Sequence, residues 1–219
     1  MSRRIRKRRR TVRVATNGVG RLADILVRTG AIKFGTFTLT SGKVSPYYVD
    51  LRLTLSFPWA FKRIISLLTE KAKGPPRGSR LAFDRIGSIP TAGIAFGACL
   101  AYEQGAPFLY VRREPRTHGL ERRVEGMLRP GDRVLIVDEM VTTGKSIGEA
   151  AELIRAEGGI VEDVLVVLDR EEGARRHLRE KGLELHAVAR MSSISRYLVS
   201  SKVISANQFT MITGQLETD

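Results

Sequence analysis

Apolar side chains recur along this chain at two different periods, and the change of period divides it. Leu22, Ile25 and Leu26 fall at helical spacing between Val19 and Arg28, and Gly30 follows as a stop. Residues 31–52 alternate apolar and polar around Phe37 and Leu39. They predict short strands, broken by turns at Ser41-Gly42 and Ser45-Pro46. Pro58 suits the first turn of a second helix running towards Lys73, with Phe61, Ile64, Ile65 and Leu68 on one face. Gly74 to Gly78, GPPRG, reads as a loop.

Beyond residue 80 the pattern becomes a regular alternation of strand and helix. Strands are predicted over 85–89, 108–111, 133–137, 164–168 and 185–189, and helices over 91–102, 146–157 and 173–181. The strands are continuous apolar runs rather than alternating ones. That is the mark of a parallel sheet buried on both faces, and it predicts an α/β fold. Residues 112–132 are charged, contain glycine and have no apolar period. A stretch that long between two strands is usually functional or disordered. Trp59 and Cys99, both on predicted helices, read as packing residues.

Composition adds exclusions. With 219 residues and 42% hydrophobic content, the chain can bury a sizeable core. A single cysteine excludes a disulfide scaffold and a cysteine metal cluster. No apolar run is long enough to span a membrane, and the arginine-rich start lacks the apolar stretch of a secretory signal, so a cytoplasmic location is expected. The net charge is +14, and its excess is uneven: residues 1–13 hold eight basic side chains and no acid. Such a tail is either an anion-binding arm or a solvated leader. No aromatic residue is interleaved to stack on bases, so nucleic acid is not the expected partner.

The chemistry concentrates in Arg133–Ile147, RVLIVDEMVTTGKSI. An apolar strand leads to adjacent carboxylates, Asp138 and Glu139. A short loop, Thr142-Thr143-Gly144-Lys145-Ser146, then opens a helix. Free backbone N–H groups at a helix start attract an anion, and ligands of open parallel sheets sit at the carboxyl ends of strands. A nucleotide P-loop would require glycine at position 139, where this chain has Glu. Carboxylates instead suit ribose hydroxyls, or Mg²⁺ held directly or through water. The arrangement therefore describes a ribose-5-phosphate site better than a triphosphate site.

This stretch resembles the phosphoribosyl-pyrophosphate (PRPP) signature of type I phosphoribosyltransferases. Three further segments resemble orotate phosphoribosyltransferases in particular. These are FTLTSG over 37–42 with SPYY over 45–48 and DLR over 50–52, RREPRTHG over 112–119, and LDREEG over 168–173. They occur in family order across about residues 20–200. The resemblance implies a parallel-sheet type I phosphoribosyltransferase fold with a small N-terminal hood. On that reading residues 1–18 are a basic tail, 19–80 the first helix and hood, 81–203 the PRPP-binding core, and 204–219 a C-terminal tail.

The implied reaction is orotate plus PRPP giving orotidine 5′-monophosphate and pyrophosphate, a step of de novo pyrimidine (UMP) biosynthesis, with Mg²⁺. The resemblance puts the 5′-phosphate on Thr142, Thr143, Gly144, Lys145 and Ser146, and the ribose hydroxyls on Asp138 and Glu139. It puts Arg112, Arg113, Arg116 and His118 over the pyrophosphate, with Thr91 in the turn Ile89–Gly93 beside it. Arg113, Arg116, His118, Asp138 and Glu139 carry the catalytic roles. Orotate falls to Ser41, Lys43, Tyr48, Thr142 and Arg170. The alternative for Arg170 is an ion pair with Glu171 or Glu172. No direct protein ligation of the metal is expected: Mg²⁺ arrives with PRPP, and Asp138 is the candidate contact. Because the family's mobile loop reaches into a neighbouring site, a homodimer with shared active sites is implied.

The chain departs from the family pattern at Glu139 for aspartate, at Arg113 and Arg116 for lysines, and at Thr40 for a cation. Two other readings remain at this point: a transferase for another base such as a purine, and a PRPP-binding, nucleic-acid-associated regulator.

Overall fold

Each element follows from where its apolar side chains can be buried. The computed structural model describes residues 18–38, 42, 44–74, 81–112, 114 and 123–216. Helix α1 (Gly18–Thr29) buries Leu22, Ala23, Ile25 and Leu26 along one stripe and ends at Gly30, whose φ is 71°. Strands β1 (Ile32–Thr38) and β2 (Val44–Val49) form an antiparallel hairpin, followed by a 3₁₀ turn over Leu51–Ser56. Helix α2 (Pro58–Lys73) starts on its proline and buries Ile64, Ile65, Leu67 and Leu68.

The core then runs β3 (Arg85–Ser88), α3 (Ala92–Gln104), β4 (Phe108–Val111), β5 (Val124–Glu125), β6 (Val134–Val141), α4 (Lys145–Ala156), β7 (Asp163–Asp169), α5 (Ala174–Glu180) and β8 (Glu184–Arg190). Helices α6 (Met191–Ser200) and α7 (Ala206–Thr213) close it. The six strands lie in the order β5-β4-β3-β6-β7-β8, all parallel except β5. Leu135, Val137, Leu165 and Val167 face one core with α1, α2, α3 and α6, whereas Val134, Ile136, Val164 and Val166 face a second core with α4 and α5. Both faces are covered, which is why these strands are apolar throughout.

The α/β parallel-sheet expectation is thereby met, with the hairpin as the hood. Several details differ from the sequence reading. Ser45-Pro46 is not a turn but part of β2. The hairpin register shifts between Phe34 and Phe37, opposite Pro46, so the ladder does not need the N–H that proline lacks. Residues 112–132 are not all loop, because Val124–Glu125 pairs with β4. Strand β6 continues four residues past Val137 and carries both carboxylates within it. Trp59 is 44% exposed rather than packed inside, and the Arg28 guanidinium lies over its ring at 4.3 Å.

Helices α6 and α7 have no counterpart among the predicted elements. Helix α7 is nonetheless well specified. The Ser205 hydroxyl accepts from the Gln208 N–H at 3.2 Å, and the Gln208 side chain accepts from the Ser205 N–H at 2.9 Å. Ile212 is fully buried, and the Gln215 amide donates to the Val44 carbonyl, tying the chain's last helix to the hood.

Candidate active site

The strand order itself creates a crevice. From β3 the chain passes through α3 to β4 on one side, while β6, on β3's other side, leads through α4 to β7. The turns after β3 and β6 therefore diverge, and a ligand fits where they part. Neither α3 nor α4 has a side-chain cap at its N-terminus. Their first backbone N–H groups remain available to anions on both sides of that switch point.

On the β6 side, Gly144 precedes α4 with φ 78°, and a side chain there would meet Leu178 at 2.9 Å. Glycine is thus required both by conformation and by space. Asp138, Thr142, Thr143, Gly144, Lys145 and Ser146 line one small open cavity of ≈ 90 Å³. Lys145 and Ser146 are exposed, and Asp138 is half-buried. Six of the seven residues expected to hold ribose and 5′-phosphate are thus brought together. Glu139 follows Asp138 on the same strand, also half-buried, and its N–H donates to Asp138 Oδ1 at 2.9 Å.

On the β3 side, the peptide between Pro90 and Thr91 is cis, and Thr91 is exposed immediately before α3. Gly93 then packs its α-carbon against the acid strand. A Cβ at this position would lie 2.4 Å from Asp138 Oδ1. The close approach brings the α3 N-terminus to the carboxylate, a role that the sequence did not reveal for Gly93.

The loop after β7 lies beside the end of β6. The Arg170 N–H donates to the Val141 carbonyl at 3.0 Å, which fixes this loop to the end of β6. The Arg170 side chain is buried and pairs with Glu172 at 2.7 Å, the ion-pair alternative weighed above. Its guanidinium also packs over the Tyr47 ring at 5.2 Å, and Nε donates to the Tyr47 hydroxyl at 3.4 Å. Burial pushes the Tyr47 phenol above its ordinary value of 10.0, partly offset by Arg170. Glu171 accepts from the Ser192 N–H at 2.6 Å and from its hydroxyl at 3.0 Å, anchoring the loop to α6.

Strand alternation explains the two tyrosines of β2. Tyr47 is buried, and Tyr48 is exposed beside Phe37, with ring centroids 5.8 Å apart. Arg112 sits at the root of the charged loop and pairs with Glu125 of β5 at 3.4 Å, while its carbonyl accepts from Arg123. Ser41, Lys43, Arg113, Arg116 and His118 lie outside the described residues. Among the described residues no cluster of three or more His, Cys, Asp or Glu side chains could hold a metal, and no helix is long and apolar enough to cross a membrane.

No protein-family model matches the chain. Individual proteins do. The chain is 40% identical over 187 residues to the orotate phosphoribosyltransferase of Cenarchaeum symbiosum, covering 85% of this chain and 92% of that one. The crystal structure of orotate phosphoribosyltransferase from Aeropyrum pernix superposes with a TM-score of 0.71 at 35% identity, covering 81% of this chain and 97% of the other. The UMP synthase of Leishmania donovani superposes with a TM-score of 0.77 at 30% identity, over 90% of this chain and 42% of that longer one. At this identity and coverage, and with the switch-point crevice and the hairpin hood both present, the chain belongs to the orotate phosphoribosyltransferase family.

Proposed function

We propose that this protein transfers the phosphoribosyl group of PRPP to orotate, yielding orotidine 5′-monophosphate and pyrophosphate in pyrimidine biosynthesis. The observation that carries the reading is the hydroxyl-lined loop at the uncapped start of α4, adjoining Asp138 at the switch point. In the reaction the bond from C1′ to the pyrophosphate oxygen breaks, and a bond from C1′ to the base nitrogen forms. The backbone N–H groups and hydroxyls of 142–146 hold the 5′-phosphate. Asp138 and Glu139 accept from the ribose hydroxyls and offset the positive charge that develops on the sugar. The turn at Thr91 and the α3 N-terminus face the pyrophosphate. Ser41, Lys43, Tyr48, Thr142 and Arg170 receive the base, and Arg170 supplies a donor to its carboxylate.

The donor set at the crevice is carboxylate and hydroxyl oxygen, which fits Mg²⁺ and does not suit a softer metal. Mg²⁺ bound with PRPP would neutralise charge on the departing pyrophosphate, with Asp138 and Glu139 as the protein groups nearest to hold it. Arg113, Arg116 and His118 complete the pyrophosphate side from a neighbouring subunit, which makes the functional unit a homodimer with shared sites, working in the cytoplasm.

The test follows pyrophosphate release from PRPP and Mg²⁺ with orotate, hypoxanthine or adenine. Release with orotate alone is expected. Release with a purine instead, or no turnover together with tight tail-dependent DNA binding, would overturn the reading.

A further inference from the structure

Arg170 is held from two directions. Glu172, on its own loop, takes Nη2 at 2.7 Å, and Tyr47, from the hood strand β2, takes Nε at 3.4 Å and stacks its ring beneath the guanidinium. Nη1 takes part in neither of these contacts. The side chain is only 7% exposed, and Tyr47 only 1%, so neither can swing far without repacking the core. A guanidinium carries five N–H donors in a rigid plane, and fixing two sides of that plane fixes where the remaining donors point.

We infer that Tyr47 is a positioning residue for base recognition: it holds the Arg170 fork in the orientation that leaves Nη1 to a substrate carboxylate. This rests on the reading above, in which Arg170 meets the carboxylate of the base. Tyr47 itself is not expected to touch substrate. Its hydroxyl works as an acceptor here, because a guanidinium carries only donors. The contact also joins two parts of the fold. Tyr47 lies opposite Phe34 in the hood hairpin, whereas Arg170 follows β7 of the core. The orientation of the hood is thereby written into the orientation of the carboxylate-binding arginine.

The test compares Tyr47→Phe with Arg170→Ala in the full-length protein. Phenylalanine keeps the ring over the guanidinium and removes only the acceptor. A long hydrogen bond to a charged donor is worth about one kcal/mol, so Tyr47→Phe should raise the orotate KM about fivefold. The KM for PRPP and kcat should remain within twofold. Inhibition by uracil, which is orotate without its carboxylate, should not change. A purely structural role would disturb PRPP and uracil as well.

Arg170→Ala separates this inference from the reading beneath it. A raised orotate KM in Arg170→Ala with an unchanged one in Tyr47→Phe would overturn the role of Tyr47 alone. An unchanged orotate KM in Arg170→Ala would remove Arg170 from the base site, and the role of Tyr47 with it.

Discussion

Gly93→Ala is the smallest change that should disable the site without unfolding the protein. The added methyl carbon would sit 2.4 Å from Asp138 Oδ1, and its next nearest neighbour is Asp138 Cγ at 3.2 Å. A carbon–oxygen contact needs roughly 3.3 Å, so the carboxylate oxygen must retreat by about 0.9 Å. The obstacle is the end of a half-buried side chain, and rotation about the Asp138 side-chain bonds relieves it without moving β6. Alanine is also the better helix former by about 1 kcal/mol, which offsets residual strain at this position of α3.

The fold should therefore survive while the geometry does not. Displacement of a reacting group by about 1 Å costs on the order of 100-fold, equivalent to about 2.7 kcal/mol of transition-state stabilisation. Steady-state release of pyrophosphate should show that loss in kcat/KM for PRPP, with a melting temperature close to the parent's. The double variant Gly93→Ala/Asp138→Asn should be no slower than Asp138→Asn alone, since both changes act through one carboxylate. A kcat/KM for Gly93→Ala within threefold of the parent would refute the argument.

Further outcomes are expected. Asp138→Asn should lower kcat by about 100- to 1,000-fold with little thermal effect, because it removes charge aimed at the developing cation and leaves an acceptor for the Glu139 N–H; kinetics beside differential scanning calorimetry checks this. Gly144→Ala should cost stability, about 1–2 kcal/mol for a left-handed residue before the Leu178 contact at 2.9 Å is counted, and urea unfolding reads it directly. Acid should unfold the protein through its paired carboxylates. Arg52, Arg21, Arg85 and Lys181 hold Asp50, Glu70, Asp132 and Glu152 below their ordinary values of 3.8 for Asp and 4.5 for Glu. Groups lowered in the folded state stabilise it above those ordinary values and lose that contribution as pH falls through the folded ones. The melting temperature should thus stay level above about pH 5 and drop below about pH 4. In Asp132→Asn the protein should melt lower than the parent near neutrality, because Arg85 is left buried without its partner, and the acid drop should be shallower.

The sheet was legible because burial on both faces forces continuous apolar runs, and RVLIV and DVLVVLD are runs of that kind at strand length. The loop before α4 was legible for a local reason: hydroxyls and one glycine between strand and helix place donors at a helix start. The features without a local sequence signal are non-local. The two-residue strand β5 has no period of its own and exists only because β4 offers an open edge. Helix α6 puts the fully buried Ser195 into its stripe of Met191, Ile194 and Leu198, which leaves only three apolar residues to signal the element. The proximity of Gly93 to Asp138 joins residues 45 positions apart through the register of β3 on β6, and no local pattern encodes it. The Tyr47–Arg170 contact spans 123 positions and depends on how the hood folds over the sheet.

A crystal structure of the protein with PRPP and Mg²⁺ tests the central claim most directly. The expected result places the 5′-phosphate over the backbone N–H groups of 143–146, with the ribose hydroxyls on Asp138 and Glu139 and the pyrophosphate beside Thr91. A phosphate bound instead in the groove along β8, lined by Lys71, Arg175 and Arg190, with Asp138 touching no part of the sugar, would contradict it.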